Sequence, residues 1–338
     1  MAPGRKAVAQ MARIQDVAEK AGVGVATVSR MLNGSGYVSA ASRAKIQAAM
    51  DELNYTPNEL ARNLYHKRTG IIAVVVPTIA HPFYAEFVNC AEMEIHRRGF
   101  KTMLCNASSG YAEELEYLDM LNRHIVDGVI SGTHTMDTEA YNKIKKPIVS
   151  LDRYLGEDIP LVAVDHVKGG RLAAQALLQS GCRRVLHFRG ETTVEAPYHD
   201  RHFEFSRIMR ENGVEVYDYE LAWNRFDVEY HQQVVDDVFS SGLEFDGVFG
   251  VDQLAAICMN ELLRRGRRIP EDVKLVGYDG TYISRLSRIP MTTVVQPIDA
   301  LARESVRLIL DCMAGKQAKN ERVMLDVSLR QGETTLPV

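Results

Sequence analysis

The stretch whose reading decides the N-terminal fold is Ile14–Met31, IQDVAEKAGVGVATVSRM. Apolar Ile14, Val17 and Ala18 recur at helical spacing. The AlaGlyVal triplet at 21–23 breaks the pattern, and Val28, Met31 and Leu32 resume it on a second helix. Ala18 falls where two steeply crossing helices nearly touch, which excludes a bulky side chain. Gly22 supplies the positive φ that so short a turn demands. The second helix begins near Gly24, a weaker N-cap than Ser or Thr. Ser39 caps a third helix, and Ile46, Ala49, Met50 and Leu53 complete a three-helix core. Spacing and turn chemistry together read as a helix-turn-helix.

Charge separates this head from the rest. The net charge of −4 over 338 residues hides an asymmetry. Residues 1–70 carry ten Lys/Arg against five Asp/Glu, a net of +5, and the remainder thirty against thirty-nine, a net of −9. A small basic head on a large acidic body places a polyanion at the head alone. The length fits two or three domains, and 46% hydrophobic with 25% charged residues excludes disordered and collagen-like classes. The longest apolar runs, such as IIAVVVP at 71–77, are strand-length, so no membrane span is expected. No apolar stretch follows the basic N-terminus, which argues against a secretory signal. Five scattered cysteines without a C-x-x-C pair argue against disulfides and zinc and for a reducing, cytoplasmic setting.

The run DVAEKAGVGVATVSRMLNG, followed by VSAASRAKIQAAMDELNYTPNELARNL, resembles the headpiece of the lac repressor family of bacterial regulators. The resemblance implies that Val25, Ala26 and Arg30 face base edges in the major groove. Arg30 has the chemistry to fork onto guanine O6 and N7, whereas Val25 and Ala26 offer only apolar contact. Thr27, Ser29, Asn33 and Tyr37 would position the helix on phosphates, with Ile14 near the duplex. Where the family often has Ser or Thr, this chain has Gly24. Residues 57–70 form a hinge and linker opened by Pro57 and Asn58. The resemblance implies a hinge helix formed only on DNA, with Leu64 wedged in the minor groove and Ala61 packing against its dimer mate. Two heads reading a pseudo-palindromic double-stranded operator imply a homodimer. No leucine heptad follows SLRQGETTLPV, so no tetramerising helix is expected.

From Ile71 onward, strand-length runs alternate with helical stretches. IIAVVVP (71–77), FKTMLCN (100–106), VDGVISG (126–132) and PIVSLD (147–152) make one set. LVAVD (161–165), RVLHFRG (184–190), FDGVFGVD (245–252) and VKLVGYDG (273–280) make a second. This grammar gives parallel sheets with helices on both faces, in two Rossmann-like lobes. The expected fold is therefore an all-α headpiece (1–56) on an α/β, periplasmic-binding-protein-like body (71–338). The lobes are expected near 71–160 with 282–297, and 161–281 with 298–338. VDGVISG and FDGVFGVD are alike and read as matching strands.

Such lobes bind ligands at the carboxyl ends of strands, in the cleft between them. The candidates there are HisProPheTyr at 81–84, Asp152, Arg201, Phe226, Asp279 and Gln296. The same positions match the effector pocket of the family, in which Phe83 and Tyr84 come from the first lobe and Phe226 is an aromatic floor. Arg201 and Asp279 would hold hydroxyls, the fork donating and the carboxylate accepting. Other roles stay open: Asp152 as a turn cap, Phe226 as core, and Arg201 in an ion pair with Glu204. Glu204 stands where the family usually has glycine. It would either accept further hydroxyl bonds or neutralise Arg201.

Other chemistries lack a constellation. His199 and His202 are three apart but have no third ligand at helical spacing, so no metal and no cofactor are expected. No G-x-S-x-G elbow, Walker A loop or G-x-G-x-x-G fingerprint occurs, and an enzyme is not expected. GlyGly at 169–170 reads as helping a helix to start, and Asp252 as an N-cap. The sequence thus points to a repressor whose operator affinity is set by a small molecule, a sugar on family grounds, acting as inducer. A nucleobase or a phosphorylated carrier protein is the alternative effector, and a sugar-processing enzyme with an appended head the alternative class.

Overall fold

The computed structural model describes residues 12–56, 68–107, 111–133, 141, 144, 146–192, 196–316 and 320–336. The chain divides into two units, Met1–Thr69 and Gly70–Val338. In the first, helices α1 (Ile14–Ala21), α2 (Val25–Asn33) and α3 (Ala40–Glu52) enclose Val17, Ala18, Val28, Ile46, Ala49 and Met50. Val38 joins this core, while Ile14, Met31, Leu32 and Leu53 pack at its edge. Gly22 ends α1 at φ 65°, the left-handed turn its position demands. Gly24 is the extended residue before α2 and offers no side-chain cap. Ser39 Oγ accepts from the Ser42 N–H at 3.2 Å and so caps α3.

In the second unit two six-stranded sheets share one strand order. The first contains β1 (Ile71–Val76), β2 (Lys101–Asn106), β3 (Gly128–Ser131), β4 (Ile148–Leu151), β5 (Leu161–Val164) and β11 (Arg322–Leu325). The second contains β6 (Arg184–Gly190), β7 (Glu215–Leu221), β8 (Gly247–Phe249), β9 (Lys274–Asp279), β10 (Thr292–Val295) and β12 (Ser328–Arg330). Their orders, β2-β1-β3-β4-β5-β11 and β7-β6-β8-β9-β10-β12, correspond strand for strand. VDGVISG and FDGVFGVD supply β3 and β8, the third strand of each. Strand β1, IIAVVV, is almost wholly buried, as a central strand covered on both faces must be. The described pairings are parallel except β10 with β12.

Helices α4 (Pro82–Arg97), α5 (Tyr111–Asn122) and α11 (Ile298–Met313) cover the first sheet. Helices α6 (His166–Gln179), α7 (Asp200–Glu211), α8 (Val228–Ser240), α9 (Asp252–Arg264) and α10 (Tyr282–Leu286) belong with the second. This corrects the expected lobe boundaries. Residues 161–164 pair with β4 and β11 in the first lobe, 292–295 stay in the second, and Ile298–Met313 and Arg322–Leu325 return to the first. Strand runs appear in order in a sequence, but which neighbour each will pair with is set by tertiary crossovers. The chain therefore crosses between lobes near 165, 296 and 326.

Among the described residues no helix is long and apolar enough to cross a membrane, and the five cysteines are free thiols. Asn58, Ala61 and Leu64, the expected hinge contacts, lie outside the described residues.

Candidate functional site

In the head, residues 25, 26, 29, 30 and 33 fall within one arc of α2, opposite buried Val28. Val25, Ala26 and Arg30 are exposed, Thr27, Ser29 and Asn33 half-buried, and Tyr37 is 88% exposed. Asn33 Nδ2 donates to Ser29 Oγ at 3.2 Å, which orders two of the polar side chains on that face. Ile14 is half-buried against the head core.

In the body, the carboxyl ends of the strands enclose a cavity of about 120 Å³, and all seven residues singled out from sequence line it: Phe83, Tyr84, Asp152, Arg201, Phe226, Asp279 and Gln296. Helix α4 begins with Pro82, whose fixed φ suits the first helical position, and its first turn aims Phe83 and Tyr84 inward. Tyr84 meets Phe226 edge-on at 5.8 Å between centroids, and His81 meets Phe226 at 5.6 Å. Phe226 is held from behind, because buried Gln253 on α9 donates to its carbonyl at 3.4 Å. It is therefore part of an aromatic wall, not detached core.

The polar wall is built mainly by the second lobe. The Arg201 guanidinium lies 4.4 Å above the Tyr278 ring, a cation–π contact that fixes its plane. The glycine pair on α6 makes this possible. A Cβ on Gly170 would stand 2.3 Å from the Arg201 carbonyl oxygen, and one on Gly169 would stand 2.4 Å from the Tyr278 hydroxyl. Asp165 caps α6 by accepting from the Lys168 N–H, so helix initiation is its task and close packing is the glycines'. Asp279 is buried and accepts from Gln296 Nε2 at 2.9 Å. Burial first, and then buried Asp252, push its carboxyl up to about 8, with Arg201 opposing. Asp252 is the first residue of α9 and not its cap. Its carboxylate accepts from the Thr281 N–H and hydroxyl at 2.7 and 2.8 Å and from the Thr293 hydroxyl at 2.6 Å.

Two polar links join the lobes beside the cavity. Asp152, which follows β4 at φ 57°, meets His166 Nε2 through both oxygens at 2.8 and 3.0 Å, and His166 Nδ1 lies 2.8 Å from the Tyr278 hydroxyl. Glu86 on α4 accepts from the Tyr282 N–H at the start of α10. Glu204 takes neither expected role. It pairs with Arg207 at 2.9 Å and Arg171 at 3.4 Å, is not part of the cavity lining, and leaves Arg201 alone. His202 is engaged through both ring nitrogens, by His187 and Arg201. Among the described residues no cluster could hold a metal ion.

Sequence reasoning missed Tyr198, Trp223 and His231 in the lining. Trp223 is the single tryptophan of the chain, two residues beyond the end of β7. A lone indole just past a strand end was the available signal. Arg153 lies buried with its guanidinium carbon 5.9 Å from that indole.

A three-helix head with an exposed recognition face, and a two-lobed body with a polar and aromatic cavity at its strand ends, define a ligand-responsive DNA-binding regulator. Residues 13–58 match the pattern of "Bacterial regulatory proteins, lacI family", and residues 174–335 that of a "Periplasmic binding protein-like domain". The chain is 37% identical over 326 residues to the ribose operon repressor of Halalkalibacterium halodurans, covering 96% of this chain and 97% of that one. It is 33% identical to the sucrose operon repressor of Streptococcus mutans, covering 96% and 99%. Among solved structures, the lac repressor dimer bound to operator and an anti-inducer matches with a TM-score of 0.85 at 25% identity, covering 97% and 100%. A complex of the transcriptional regulator CelR with cellobiose matches with a TM-score of 0.70 at 30% identity, covering 96% and 99%. The chain belongs to the lacI family of bacterial regulatory proteins, and it is an operator-binding transcriptional repressor under the control of a small molecule.

Proposed function

We propose that the protein binds a two-fold operator as a homodimer and releases it when a sugar occupies the body's cleft, binding that sugar without turning it over. The observation that carries this reading is the cavity itself. Aromatic faces from both lobes, Phe83 and Tyr84 from the first and Phe226 from the second, share the cavity with Arg201, Asp279 and Gln296, which suits a molecule with an apolar face and a rim of hydroxyls. Relatives named for ribose and sucrose operons, and a neighbour solved with cellobiose, support a sugar.

A thermal-shift panel of D-ribose, sucrose, cellobiose and nucleobases tests it, followed by operator-binding titrations with and without each compound. A ligand at one hundred times its Kd adds about 2.7 kcal/mol of stability. A nucleobase as the sole stabiliser, tightened operator binding, or consumption of the sugar each overturns part of the reading. On the head, Arg30→Ala should cost about 1–3 kcal/mol on the cognate operator and relax base preference at one position per half-site. Equal losses on operator and random DNA would make Arg30 a phosphate contact.

A further inference from the structure

Arg201 is the end of a line of four side chains, each hydrogen-bonded to the next. Its Nε–H donates to His202 Nε2 at 3.3 Å, His202 Nδ1 lies 2.9 Å from His187 Nε2, and His187 Nδ1 lies 2.8 Å from Asp218 Oδ1. The polarity of this line is forced. A guanidinium only donates, so His202 Nε2 accepts and its proton sits on Nδ1. His187 Nε2 accepts that proton's bond in turn, and the His187 Nδ1–H donates to the carboxylate. Both imidazoles are then neutral, which fits their setting. Burial drives His202 well below its usual value, with Arg201 adding to it, and lowers His187 against the pull of Asp218. The rings are clamped as well: His187 stacks on Phe249 at 5.4 Å and touches Phe205 at 4.8 Å. At the far end Arg210 Nη2 donates to Asp218 Oδ2 at 2.6 Å, and Ser206 Oγ lies 3.2 Å from His187 Nδ1. Only the first link touches the cavity. His187 on β6 and Asp218 on the edge strand β7 carry the line from His202 on α7 across the second sheet.

We propose that His202, His187 and Asp218 are positioning residues for Arg201. They hold its Nε edge toward the protein interior, so that the terminal Nη edge alone is offered to a pair of adjacent oxygens on the effector. The proposal rests on the cavity being the effector site. The Tyr278 ring sets the plane of the guanidinium, and the histidine line sets its rotation within that plane. An arginine fixed in both respects reads a vicinal pair of oxygens, whereas a mobile one would accept single acceptors as readily.

The test uses the full chain labelled with 15N at histidine and arginine. Long-range 1H–15N correlation should find His187 and His202 in the neutral Nδ1–H form, and a slowly exchanging Arg Nε–H signal that vanishes in Arg201→Lys. Asp218→Ala removes the terminal acceptor and should speed exchange of that signal about tenfold, while Asp218→Asn, which keeps an acceptor oxygen, should restore it. The sugar that shifts melting in the panel should bind Asp218→Ala about tenfold more weakly than Asp218→Asn. An Nε2–H tautomer at either histidine in the unaltered protein overturns the proposal whatever the variants do. So does Arg201 Nε–H exchange that is the same in Asp218→Ala as in the unaltered chain. If the tautomers and exchange are as expected but no sugar perturbs the Arg201 signals, the line stands and the sugar reading fails.

Discussion

Strands β4 and β9 occupy the same place in their two sheets, fourth from the β2 and β7 edges. β9 ends at, and β4 is followed at once by, an aspartate with positive φ, Asp279 at 110° and Asp152 at 57°. Each carboxyl faces the cavity. From that point the two diverge. Asp152 keeps 17% of its side chain exposed and reaches across to the other lobe, meeting one imidazole with both oxygens. Asp279 is buried in its own lobe beside a second buried carboxyl, Asp252, and is pushed up to about 8. Burial and the neighbouring Asp252 carboxyl both favour the protonated form of Asp279, a form that can donate as well as accept. Topological equivalence fixed where the two aspartates stand, and burial decided what chemistry each brings.

The largest test of that difference is substitution at the two ends. Asp279→Ala strips Gln296 of its acceptor and Arg201 of its neighbour, and should weaken binding of the panel sugar by about 100-fold or more, measured by titration calorimetry. Asp279→Asn keeps an acceptor oxygen for Gln296 at nearly the same volume and should stay within about tenfold of the unaltered protein. Asp152→Asn should do worse than Asp279→Asn, because an amide offers His166 Nε2 one oxygen and turns an N–H₂ toward the other contact. Equal losses in the two Asn variants would mean that the aspartates act alike.

A smaller effect is expected at Gly170, which lets α6 approach the Arg201 backbone. Gly170→Ala should cost about 1–3 kcal/mol in denaturant unfolding and displace Arg201. Losing the opposing charge of Arg201 should then raise Asp279 further and sharpen the contrast with Asp152. Unchanged stability would show that α6 and α7 separate without cost.

The smallest effect is the pH response. Burial beside Asp252 raises the folded Asp279 carboxyl, up to about 8, above the value of about 4 for an unfolded aspartate. Between these values the folded state binds more protons. The stabilisation from this group is therefore complete below about pH 4 and is lost as pH rises through about 8, by at most about 1.4 kcal/mol per pH unit. The melting temperature of Asp279→Asn should gain on that of the unaltered protein between pH 5 and 9. Parallel curves would place the proton elsewhere.

The sequence by itself determined the head almost completely. Its cap at Ser39, its turn at Gly22 and the spacing of Val17, Ala18 and Val28 are local signals, each acting within a few residues. It also determined the strand runs, the likeness of β3 to β8, and, through the family resemblance, seven residues that do meet around one cavity. The tertiary structure decided what depends on neighbours distant in the chain. It paired Leu161–Val164 with β4 and returned Ile298–Met313 and Arg322–Leu325 to the first lobe, because strand pairing is a choice among partners that a run of apolar residues does not specify. It gave Glu204 to Arg207 and Arg171, turned the glycines of α6 into a seat for Arg201 and Tyr278, and brought Trp223 to the cavity wall. It also separated Asp279 from Asp152 in burial and in partners, one enclosed beside Asp252 and the other reaching His166. A residue's hydrogen-bonding capacity is written in its type, but its protonation follows from the burial and charge around it, and those are supplied by residues far away in sequence.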